Sequence, residues 1–197
     1  MTQTDIAAAT VESVRKRTRA AQHVGSYPLL VIGVVLVNYA VVGFTNSPVP
    51  WRFAGALAFV TLWGLGKINE SEVGIGPARG DYLAIAAGVF MATQLTLLNR
   101  VVDALDYSQL QALWVAIVAA GLIALGLSRH ETALIAWGGV VVAVCAVLYL
   151  NDSTQFTSGV SFGRVIGIPT QSTVAVVLGV VLTLAGLVTY GRERRIA

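Results

Sequence analysis

The chain has little that a soluble enzyme or a disulfide-stapled domain would need. Its one cysteine, Cys145, excludes an intramolecular disulfide and any cysteine-based metal centre. Its two histidines, His23 and His130, lie far apart in sequence, and no metal-ligand spacing is present. Charged residues make up 12% of the chain, about half the ~25% of an ordinary globular protein. A soluble fold of 197 residues needs a polar shell, and too little polar surface exists here to make one. No Gly-Lys-Ser/Thr follows the glycines of Gly74-Ile75-Gly76-Pro77, which excludes a phosphate loop.

What is present is apolar: 56% of the residues. The apolar runs are long enough to require lipid. Six are predicted as spans, at about 27–45, 51–67, 82–99, 109–127, 132–150 and 172–190. The second is short for a hydrocarbon core of about 30 Å. The expected fold is all-α, a polytopic membrane bundle of about six transmembrane helices occupying 26–191. A basic segment, 1–25, precedes it and reads as a short helix. A basic tail, 192–197, follows it. No small-residue cleavage pattern follows the first apolar run, so no cleaved leader is expected. Pro28 suits a first helical turn, and Asn46, Ser47, Pro48 and Pro50 read as a turn.

Basic residues orient the bundle. With the N-terminus inside, the inner segments hold Arg15, Lys16, Arg17, Arg19, Lys67, Arg79, Arg129, Arg192, Arg194 and Arg195. The outer segments hold Arg52, Arg100 and Arg164. This asymmetry selects both chain ends on the cytoplasmic side, N-in and C-in. Tyr27, Trp51, Tyr82, Tyr149 and Tyr190 stand at span ends, where amphipathic rings favour the interface. The cluster Arg15, Lys16, Arg17 and Arg19 also suits anionic lipid, at about 1 kcal/mol per charge. A net charge of +3, gathered in these short stretches, gives no reason to expect nucleic acid as a partner.

Glu12-Ser13-Val14-Arg15-Lys16-Arg17-Thr18-Arg19, leading into the first span, resembles small multi-pass membrane proteins of actinobacteria. The Ala/Val/Gly bias suits a GC-rich genome. The resemblance implies a bacterial inner (plasma) membrane and carries no activity.

Candidate sites are few. Asn38 is the most polar group near the middle of the first span, and an unpaired amide in hydrocarbon is costly. It reads as interhelical glue or as a solute contact. Thr93, Gln94 and Thr96 are the one polar cluster inside a span. Thr93 and Thr96 share a face, whereas Thr93 and Gln94 do not. They would line a path, or bond their own helix backbone. In the fourth span Ala112, Ala116, Ala120, Ala124 and Ser128 recur every four residues. They are expected to form a helix-packing face inside the chain or toward a partner. Ala84, Gly88 and Ala92, and Ala175, Gly179 and Thr183, repeat the pattern in the third and sixth spans.

No charge falls in mid-span, unlike proton-coupled pumps and voltage sensors, which place ionisable groups at membrane depth. Intramembrane-protease constellations are missing from the spans too, and Asp103 and Asp106 read as a solvated pair. No catalytic, cofactor-binding or metal site is expected. The outer loop 151–171 is the longest and reads as an ordered cap, a segment on the membrane surface, one that dips into the bundle, or a docking element. Two readings stand: a non-enzymatic accessory or scaffold subunit that packs with a membrane partner or with itself, or a small transporter or channel for a neutral or weakly polar solute.

Overall fold

The computed structural model describes residues 10–11, 13–14, 23–43, 51–73, 79–101, 107–158 and 170–196. Among these, the chain is all-helical, with six long helices and no strand. They are α1 (Ser26–Gly43), α2 (Trp51–Val73), α3 (Arg79–Val101), α4 (Tyr107–Arg129), α5 (Thr132–Ser158) and α6 (Thr170–Ile196). Residues 10, 11, 13 and 14 are helical and exposed. Arg15, Lys16, Arg17 and Arg19 lie outside the described residues, as do Asp103, Asp106 and 159–169.

Each predicted apolar run contains one helix, but the helices end elsewhere than the runs. The α2 helix passes Lys67, Glu70 and Glu72 and stops at Val73, immediately before Gly74. The α5 helix passes residue 150 and stops at Ser158, before Gly159. The 151–171 segment therefore begins as helix, a correction to its reading as loop. The α6 helix starts just after Pro169 and runs through the basic tail to Ile196. Falling hydropathy marks where lipid would end. The α2 and α5 helices run past that point by up to eight residues, because no glycine or proline interrupts the backbone ladder there.

Two described segments are long and apolar enough to cross a membrane, Ala112–Arg129 and Val174–Ile196. The apolar segments Ser26–Asn38, Phe53–Ile68 and Thr132–Leu148 are shorter.

Consecutive helices pack on one another from α1 to α5, and α1 also closes against α6 in the most extensive pairing of the fold. That seam is backbone on backbone. A Cβ added at Gly179 would lie 2.8 Å from the Gly33 carbonyl oxygen and 2.8 Å from the Val37 nitrogen. One at Gly33 would lie 2.7 Å from the Thr183 nitrogen, and one at Gly186 would lie 2.9 Å from that of Leu30. Ala175 and Gly179 are buried here, so the small-residue pattern of α6 packs inside the chain.

The α4–α5 hairpin turns on His130, whose φ is 54°. His130 N–H donates to the Leu127 carbonyl at 3.3 Å and Glu131 N–H to that of Gly126 at 2.8 Å. This is a Schellman closure with histidine at the left-handed position usually held by glycine. The core runs through Leu29, Ile32, Phe59, Leu122, Leu134 and Leu182, all essentially inaccessible.

The alanine stripe of α4 departs from expectation. Ala112 is buried and Ala116 half-buried, but Ala120, Ala124 and Ser128 are exposed. Each step of four residues overshoots a full turn by about 40°, so the stripe rotates about 160° over its length. It begins in the core and ends on the outer face. The face that packs is Val115, Val118, Ala119, Leu122 and Leu125, spaced three and four apart. Ala84 and Gly88 of α3 are likewise exposed.

Candidate functional site

Among the described residues, the densest polar arrangement joins the start of α1 to the end of α6. The first N–H groups of α1 have no partner within the helix. Glu193, in the last turn of α6, supplies one from 168 residues away: Gly25 N–H donates to its Oε1 at 3.1 Å. The Ser26 hydroxyl donates to its Oε2 at 2.5 Å. His23 Nδ1 lies 3.2 Å from the same oxygen. The imidazole sits against two rings, Tyr27 at 4.9 Å and Tyr190 at 4.6 Å between centroids. His23 reaches this position through a φ of 49°. A carboxylate at a helix N-terminus also meets the positive end of the helix dipole.

Serine, histidine and a carboxylate are the residue types of a hydrolytic triad, but the connections differ. A nucleophilic serine must give its proton to the imidazole. Here the Ser26 hydroxyl is bonded to the acid, and Ser26 is fully buried. The arrangement can cap α1 and clamp it to α6, with the hydroxyl directed at the carboxylate and not at the imidazole. Its parts stand 170 residues apart, so no spacing rule could have found it.

The polar residues singled out within the predicted spans fall into two separate places. Asn38 is exposed on the outer side of α1, and its Nδ2 donates to the Val34 carbonyl of its own helix at 2.9 Å. The bond is thus intrahelical, where an interhelical one was expected. Asn38 borders an open groove of about 260 Å³ with Val34, Val37, Val180, Thr183 and Leu184.

Thr93 and Thr96 are buried on α3. Thr93 Oγ1 donates to the Val89 carbonyl at 2.8 Å, and Thr96 Oγ1 to that of Thr93 at 2.7 Å. Thr96 Oγ1 also accepts the indole N–H of Trp114 on α4 at 2.7 Å. The need of a buried indole for an acceptor was the available signal for this bond, and the sequence reading missed it. Gln94 is half-buried on another side of α3 from the two threonines, and its Nε2 has no hydrogen-bond partner among the described residues.

At the helix ends, Arg129 lies 3.7 Å from Asp81 and stacks over the Tyr82 ring at 5.0 Å. Lys67 lies 5.5 Å from the Trp63 ring centroid. Arg192, Arg194 and Arg195 are exposed around the inward-turned Glu193. Among the described residues, no three His, Cys, Asp or Glu side chains are grouped to hold a metal ion. No family model, curated protein or solved structure compared with the chain matches it.

Proposed function

We propose that this chain is a six-span integral protein of the plasma membrane, N-in and C-in, acting as a non-enzymatic accessory or scaffold subunit. It packs with a membrane partner or with a second copy of itself. The observation that carries this reading is the outer surface. Large apolar side chains are exposed on every helix: Val34 on α1, Leu57 on α2, Met91 and Leu95 on α3, Leu127 on α4, Val147 on α5, and Leu184 and Val188 on α6. Water would penalise that surface on all sides at once, and lipid does not.

Two further observations support the orientation. The Glu193–His23 contact joins the end of α6 to the start of α1, and the Arg129–Asp81 contact joins the end of α4 to the start of α3. In an alternating bundle these ends share one side, the side on which the basic residues concentrate. A solute path through Asn38, Thr93, Gln94 and Thr96 is the weaker reading. It needs those groups on one line, and they occupy two seams, with the threonine hydroxyls already bonded.

Topology is tested with single cysteines in a Cys145→Ala background. A membrane-impermeant thiol reagent applied to intact cells should label Ser47→Cys and Ser161→Cys. It should label Arg195→Cys only after permeabilisation. Labelling of all three from outside would overturn the six-span arrangement. Gentle detergent extraction followed by native mass measurement tests the role: a stable assembly supports a subunit, and a lone monomer counts against it.

A further inference from the structure

We propose that the outward groove between α1 and α6 docks a second copy of this chain, with Asn38 of each copy paired to Asn38 of the other about a twofold axis. The inference rests on the membrane reading above. Asn38 stands twelve residues into α1, about 18 Å along the helix axis, near the middle of a hydrocarbon layer about 30 Å thick. One of its two amide hydrogens is used on the Val34 carbonyl. That is its one hydrogen bond among the described residues, and the rest of the amide faces outward. Lipid tails offer no donor or acceptor, so the open half of the amide is unfavourable there unless another polar group meets it.

The chemistry of the group names its partner. A primary amide carries both a donor and an acceptor, so two of them related by a twofold axis satisfy each other reciprocally. The other polar member of the groove is already committed, since the Thr183 hydroxyl donates to the Gly179 carbonyl at 2.7 Å. The surroundings suit a neighbouring helix. Val34, Val180 and Leu184 are exposed ridges beside the amide. Only 22% of the apolar stretch within Val174–Ile196 is buried within the chain, against 50% for Ala112–Arg129. The helix beside Asn38 is thus the less covered of the two. A polar residue in mid-span that selects a neighbour is an established way for membrane helices to associate.

The test uses the full chain in lipid vesicles, in a Cys145→Ala background. Val34→Cys lies one turn from Asn38 and leaves the amide in place. Under mild oxidation it should cross-link to dimer much faster than Val147→Cys on α5. Energy transfer between two labelled populations, followed over lipid dilution, gives the dimer affinity. Asn38→Leu should weaken it about tenfold, equivalent to about 1.4 kcal/mol. Val180→Trp, which fills the groove without touching the amide, should also weaken it. Equal cross-linking at the two positions, or an affinity unmoved by Asn38→Leu, would overturn the proposal. A stoichiometric complex with a different membrane protein and no dimer would overturn it too, while leaving the subunit reading intact. A lone monomer would remove both.

Discussion

The α1–α6 seam makes a prediction with two signs. Replacing glycine by alanine inside a helix ordinarily stabilises it by about 1 kcal/mol, because less backbone entropy is lost on folding. At Gly139 of α5 nothing among the described residues lies within 4 Å of the added Cβ, so Gly139→Ala should show that gain, up to about 1 kcal/mol. Gly179→Ala should show the reverse. Its Cβ would sit 2.8 Å from the Gly33 oxygen and from the Val37 nitrogen, about 0.6 Å inside ordinary van der Waals contact. These are backbone atoms of a packed helix, not the movable tip of a side chain. Relief requires α1 to move away from α6 along the longest seam in the fold. Overpacking of this kind costs about 1–3 kcal/mol, which exceeds the propensity gain. The net result should be a loss of about 1 kcal/mol for Gly179→Ala. Gly33→Ala should lose more, because its Cβ would meet Thr183 Oγ1 and backbone nitrogen as well as the Gly179 oxygen. Denaturant titration in a mild non-ionic detergent, followed by far-ultraviolet circular dichroism, measures all three. A Gly179→Ala protein as stable as the parent, or a Gly139→Ala protein as damaged as Gly179→Ala, would refute the backbone-contact account.

Two other contacts make separate predictions. Glu193→Ala strips the acceptor from the buried Gly25 N–H and the Ser26 hydroxyl. It should cost about 2–3 kcal/mol, with Glu193→Gln milder because an acceptor oxygen remains. Hydrogen exchange at the Gly25 amide should accelerate in the alanine variant, and an unchanged rate would mean the cap does not hold in solution. Trp114→Phe should cost about 1 kcal/mol through its lost bond to Thr96. Thr96→Val should cost more, since it leaves a buried indole N–H unpaired. A double-mutant cycle on the pair should then give a coupling above about 0.5 kcal/mol, and strict additivity would argue that the bond is absent.

Much of the helix layout could be read from the sequence because apolar runs and glycine or proline breaks are local signals. Where the reading went astray, it treated one of these signals as the other. Lys67, Glu70 and Glu72 look like the end of an apolar run, yet nothing in 67–73 stops a helix, and α2 continues to Val73. The stretch after residue 150 is polar but free of glycine and proline until Gly159, and α5 continues with it. Packing faces were harder, because a repeat of four is not the period of the helix. In α4 the visible alanine repeat turns out of the core, while the face that packs carries larger side chains at mixed spacing. In α6 the small-residue pattern does pack, because Gly179 finds Gly33 opposite it.

The polar contacts show the same division between local and distant information. Thr93 and Thr96 bond within three or four residues, as their chemistry alone suggests. The Glu193 clamp depends on α6 returning to α1 after four intervening helices. Read in isolation, Glu193 is one acid among three arginines, a solvated helix end. Only the pairing of α1 with α6 turns it inward, where it meets an uncapped helix N-terminus and a histidine held between two tyrosines. Residues whose partner is set by topology carry no mark in their own neighbourhood. The clamp is therefore a consequence of the fold, and it couples the start of α1 to the end of α6: loosening the Gly33–Gly179 seam should also loosen the carboxylate from Gly25.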